Sequence, residues 1–121
     1  MITPAEAEKF AREWLAAWNS HDPEAVLALC AEEVELVSPF VVQLMGDPAG
    51  LLRGKDSLRM YLHLGLSLYP DLHLELLQVL VGVSSVVLFH RSVDDTLGAE
   101  VLVLDDQQKA ARVLAHYLPV E

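Results

Sequence analysis

Cysteine occurs once in the 121-residue chain, at Cys30. That excludes a disulfide framework and any multi-cysteine metal site, and it fits a reducing, cytoplasmic setting. Basic residues are also scarce. Eight Lys and Arg stand against 18 Asp and Glu, for a formal charge of −10. The densest basic stretch, Arg53, Lys55 and Arg59, is interrupted by Asp56. A field of that sign repels phosphate backbones and anionic lipid, so neither nucleic acid nor a membrane is an expected partner. No apolar run approaches the roughly 20 residues that a membrane-spanning helix needs. The opening Met1-Ile2-Thr3-Pro4 lacks a basic segment followed by an apolar one, so no signal peptide is expected. No glycine-rich phosphate loop is present, and no organic cofactor is expected. The five histidines show no HxH or HxxxH spacing. The looser pairs His21 with Glu24 and His73 with Glu75 are too few ligands for a metal site, so none is expected.

Apolar residues, in contrast, are abundant: 53% of the chain without counting glycine. Typical domains hold about 45–50% with glycine included. The length supports a single domain over 1–121, able to bury roughly two thirds of its unfolded surface without a staple. The apolar excess therefore predicts a very full core, or apolar surface kept for a cavity or a partner.

Periodicity gives the element order. Thr3 and Glu6 form a capping box with Pro4 at the first helical position, and Phe10, Trp14, Ala17 and Trp18 share one face of a helix over 3–19. Asp22 and Pro23 start a short second helix carrying Val26, Leu29 and Cys30. Residues 33–38 alternate as a strand that Pro39 ends, with Val34, Leu36 and Ser38 on one side. Residues 39–53 read as a long connection with an apolar front from Phe40 to Met45; connections of that length tend to be functional, here as a lid or wall. A third helix spans 55–68, with Leu58, Tyr61, Leu62, Gly65 and Leu68 on its inner face. Four consecutive strands follow, at 72–81, 84–92, 97–105 and 109–118. The pattern is α+β, three helices segregated to one face of a curved, mainly antiparallel sheet.

Several short stretches carry a family likeness: Trp14-Leu15-Ala16-Ala17-Trp18-Asn19-Ser20-His21-Asp22, Ala31-Glu32-Glu33-Val34, Leu51-Leu52-Arg53-Gly54-Lys55-Asp56 and the hairpin Val103 to Lys109. In this order they resemble the nuclear transport factor 2-like superfamily, and within it the SnoaL-like and steroid delta-isomerase-like branch. The resemblance covers essentially the whole chain. It implies a cone-shaped, cystatin-like α+β roll with an apolar pocket at its wide end, and dimers are common in the group. It does not fix an activity, because one fold hosts many chemistries. Isomerase, cyclase and hydratase chemistry all fit the branch, and so does a non-catalytic binding module.

The steroid isomerase pattern places a tyrosine on the first helix, a base aspartate at the end of the first strand and a protonated aspartate on a later strand. Carried onto this chain, those positions fall on Trp14, Ser38 and Glu100. An indole N–H donates but does not accept, and a serine is no base without a helper, so steroid isomerisation by that route is not expected. Glu100 keeps the carboxylate, with Leu102 and Leu104 on its strand face. Its alternative is a solvated edge position just after the turn. His90 shares a face with Val86, Leu88 and Ser92, and counting out from the turn at 93–96 sets it opposite about Ala99 or Glu100. A His90–Glu100 pair inside an apolar cone would be an acid–base couple. Otherwise His90 is a satisfied core histidine, or faces solvent if the register slips by one. Trp14, Trp18, Ser38, Phe40 and Tyr61 are the candidate ligand-binding residues, for a small apolar molecule. The aromatic stripe on the first helix fits plain core equally well. Cys30, on an apolar helix face, reads as an inert buried thiol.

Both faces of three consecutive strands are largely apolar. Val87 and Phe89 back onto Leu88 and His90, and Val101 and Val103 onto Leu102 and Leu104. A sheet with one wet face should alternate with polar residues. The expected cover is a second copy of the chain, giving a homodimer through the outer sheet face.

Overall fold

The computed structural model describes residues 1–119, so Val120 and Glu121 of the expected 1–121 domain lie outside the described residues. Helix α1 runs Pro4–Asn19, with the capping box in place: Thr3 N donates to Glu6 Oε1 at 2.9 Å and Glu6 N to Thr3 Oγ1 at 3.1 Å. Helix α2, Pro23–Leu27, is capped by Asp22, which accepts from Glu24 N at 3.0 Å. Strand β1 spans Cys30–Val37, starting three residues earlier than the alternation indicates.

The stretch 39–53 departs from the sequence expectation. It is not an irregular connection but a helix and a strand: α3, Pro39–Met45, and β2, Leu51–Arg53. The physical reason lies in Ser38-Pro39. Ser38 Oγ accepts from Phe40 N at 3.2 Å, and the proline takes the first helical position, where no N–H is needed. Val41, fully buried, anchors the short helix, and Gly46, in the left-handed region at φ 71°, ends it. The helix count is therefore four rather than three. Gly50 returns the chain at φ 64°, with Ser38 O only 2.9 Å from where a Cβ would sit; Ser38 N donates to Gly50 O at 3.0 Å.

Helix α4, Lys55–Leu68, follows, then β3 (Glu75–Val81), β4 (Ser85–Arg91), β5 (Leu97–Leu104) and β6 (Ala110–Tyr117). One sheet results, in the order β2-β1-β6-β5-β4-β3, antiparallel except for the parallel β1–β6 pair. The core fills the space between α1, α4 and the inner sheet face. Phe10, Trp14, Leu62, Val86, Leu88, Leu102 and Val113 are all buried there. Alternation is clean on β4 and β5, where Val86, Leu88, His90, Gly98, Glu100, Leu102 and Leu104 turn inward. His73 and Glu75 face solvent while Leu74 is buried, as their alternation predicts.

Candidate functional site

The inner face of β4 and β5 brings two ionisable side chains into the core. His90 is 1% exposed and Glu100 5%, and His90 Nε2 lies 3.4 Å from Glu100 Oε1. The counted register needs a correction. His90 stands opposite Gly98, and Glu100 opposite Leu88, one step from the predicted pairing. The cause is the turn, where a single 3-10 turn at Val93–Asp95 lets Arg91, not Ser92, pair with Leu97. His90 and Glu100 are therefore diagonal neighbours on the same face, still within side-chain reach. Neither is a solvated edge group. Nor is His90 satisfied: both its ring nitrogens lack a hydrogen-bond partner among the described residues. An orphaned buried imidazole is costly, and the indole nitrogens of Trp14 and Trp18 share that state.

Glu100 opens onto a partly enclosed cavity of about 50 Å³. That exceeds the ~10–15 Å³ that a single water needs, yet is small for a substrate pocket. Four elements position the polar groups around it. Ser38 comes from the end of β1 and is 3% exposed; Tyr61 comes from α4 at 7%. Tyr117 ends β6, and Ser92 follows β4. Apolar walls come from Leu36, Leu44, Leu62, Leu72 and Leu74. Burial pushes the Tyr61 phenol up to about 12, with the Ser38 side chain opposing and the nearby Glu100 reinforcing it. Burial, then Glu100, pushes the Tyr117 phenol up as well. Both phenols are hydrogen-bond donors throughout the physiological range.

Of the residues singled out in the sequence, Glu100, Ser38, Phe40, Tyr61 and Trp18 line the cavity. His90 stands outside the lining and reaches it only through Glu100. Trp14 is placed differently from its expected ligand-binding role. It is 1% exposed, stacked on Phe10 at 5.9 Å and set edge-on to Trp18 at 6.5 Å, outside the cavity lining. Tyr69 and Tyr117 line the cavity unanticipated. Tyr117 alternates with Ala115 and Val113 on the inner face, so its strand pattern carried the signal; Tyr69, after α4, carried none. Among the described residues, no group of three or more His, Cys, Asp or Glu side chains could hold a metal ion, and no helix is long and apolar enough to cross a membrane.

The family model for the SnoaL-like domain matches residues 11–117, nearly the whole of this sheet and cavity. The chain belongs to the SnoaL-like family. A SnoaL-like protein of unknown function from Burkholderia thailandensis is 41% identical over 98% of both chains, with a TM-score of 0.93. More distant relatives share only the fold with this SnoaL-like protein. A candidate isomerase of the SnoaL-like family from Agrobacterium tumefaciens is 19% identical over 95% of this chain and 99% of its own, with a TM-score of 0.76. The epoxide hydrolase/cyclase-like enzyme SalBIII, with its role in pyran ring formation in the polyether salinomycin, is 14% identical over 98% of this chain and 95% of its own, with a TM-score of 0.74. No curated protein matches the chain. The SnoaL-like family and its curved-sheet fold are thus shown for this chain, and the distant relatives share that fold alone.

Proposed function

We propose that this SnoaL-like protein binds a small, largely apolar molecule in the cavity and moves a proton on it by general acid–base chemistry. The observation that carries the reading is the buried Glu100–His90 pair at 3.4 Å, with Glu100 alone on the cavity wall. Glu100 is the group that touches substrate. His90 acts through it, exchanging a proton with Oε1. Tyr61 and Tyr117, kept protonated by burial, can donate to an oxygen that gains charge as the proton leaves carbon. Isomerisation begins with such a transfer from carbon, while cyclisation and hydration use general acid–base transfer to or from oxygen or carbon at the same kind of group.

The test is deuterium exchange from heavy water into small enolisable carbonyl compounds, followed by NMR. Exchange by the wild type, lost in Glu100→Gln and reduced at least about 100-fold in His90→Ala, supports the reading. Binding without exchange in any compound sinks it, and favours a non-catalytic ligand-binding module. That second reading draws on Trp14 and Ser38, which stand where the steroid isomerase pattern has a tyrosine and a base aspartate. A cytoplasmic location belongs to the same proposal, on the strength of the lone, buried thiol of Cys30.

A further inference from the structure

The cavity has a charge asymmetry that proton transfer alone does not use. Five of the chain's eight aromatic residues line it: Trp18, Phe40, Tyr61, Tyr69 and Tyr117. The rings are set nearly at right angles. Phe40 meets Tyr117 at 4.9 Å and 87°, and Tyr69 at 5.9 Å and 78°. Among the described residues, neither Lys nor Arg contributes to the wall, and the only carboxylate there is Glu100. Among the described residues its one ion-pair neighbour is His90, which stands behind it and outside the cavity.

An aromatic lining and one buried carboxylate suit a particular ligand chemistry. A ring face carries negative potential, and a cation held against several faces is attracted by each, more strongly once water is excluded. An anion would meet repulsion from Glu100 with no cationic group to offset it. A neutral apolar ligand would leave the buried carboxylate with His90 alone, on its far side, and nothing to pair with on the cavity side, at a desolvation cost. A cation resolves both. The net charge of −10 also draws cations toward the molecule from a distance. The small cavity suits a compact head such as an alkylated ammonium group, with any tail left in the mouth.

We propose that the cavity takes a small organic cation, an amine or alkylated ammonium group seated among Phe40, Tyr69 and Tyr117 with Glu100 as its counter-ion. This rests on reading the cavity as the small-molecule site, and it narrows the class of molecule.

The experiment compares two probes of one shape, tetramethylammonium and the uncharged tert-butanol, by NMR titration of the full chain. The expected result is tighter binding of tetramethylammonium by at least about tenfold. Glu100→Gln should erase that preference. Tyr117→Leu should abolish cation binding, whereas Tyr117→Phe, which keeps the ring face, should retain it; circular dichroism confirms that each variant is folded. Equal or tighter binding of tert-butanol overturns the cation proposal while leaving an apolar small-molecule site. Perturbation of the cavity residues by neither probe overturns both.

Discussion

Gly98 stands directly opposite His90 across the β4–β5 ladder, and a Cβ there would lie 3.0 Å from His90 Cε1. The same Cβ would lie 2.9 Å from Tyr117 Cδ1 and 2.9 Å from the backbone oxygen of His116. The missing side chain lets the imidazole and the Tyr117 ring approach edge-to-face, with centroids 6.4 Å apart. Gly98 thus sets where both His90, the ion-pair neighbour of Glu100, and one cavity wall can sit.

Gly98→Ala should therefore act on the site and on stability together. The backbone oxygen of His116 cannot swing away as a flexible side chain could, so the strand or the rings must shift. Overpacking of this kind costs about 1–3 kcal/mol. Urea denaturation should show that loss, and near-ultraviolet circular dichroism a changed Tyr117 signal. An alanine variant with unchanged stability and spectrum would mean that the position tolerates a Cβ and sets nothing.

The sequence made most of this arrangement legible, for a physical reason. Helix caps and strand alternation are local, and Thr3 to Glu6 or the run from Val86 to His90 needs no distant partner to be read. That is why Ser38, Tyr61, Glu100 and His90 could be placed on inward faces beforehand. What was not legible depends on closure. Helix α3 is a short helix of about two turns whose identity hangs on the Ser38 cap, and its apolar run reads equally as loop. The one-residue error in the His90 pairing came from turn geometry, which counting does not supply. Tyr69 reaches the cavity only because the segment after α4 folds back, and Trp14 is screened from it by a neighbour on its own helix, Trp18.

Alkaline pH should weaken the fold through its buried acids, Cys30 and Tyr61 together with Tyr117, whose phenol burial also pushes up. Burial pushes the Cys30 thiol up to about 12 from 9.0 and the Tyr61 phenol up to about 12 from 10.0. Both folded values lie above the unfolded ones, so between pH 9 and 12 the unfolded chain has lost protons that the folded chain keeps. Stability is then fully present below pH 9 and falls as pH rises toward 12. Denaturation midpoints measured across that range should drop steadily, and Tyr61→Phe should flatten the slope. The same three-unit shift leaves about a thousandfold less Cys30 thiolate than in the unfolded chain. Ellman's reagent should react correspondingly slowly until denaturant is added. Rapid reaction in the native protein would mean the thiol is not held in the core.

The outer face of the sheet carries one further prediction. Leu80, Val87, Val101, Leu114 and Val37 stand in one register row across β3, β4, β5, β6 and β1. All five are apolar and at least partly exposed. Charged pairs border the row, Arg53 and Arg112 with Glu35 on one side and Arg91 with Glu75 on the other. These ion pairs neutralise charge beside the row, which lowers the repulsion between two copies that meet here. We propose a homodimer through this row, and Val101, on the central strand of the face, is the residue to test. Light scattering should give twice the 13.4 kDa chain mass for the wild type and the single-chain mass for Val101→Lys. The lysine lies on the solvent side of the strand, so the monomeric variant should keep its far-ultraviolet spectrum. A wild type of 13.4 kDa at micromolar concentration would leave the row without a second copy and refute the dimer.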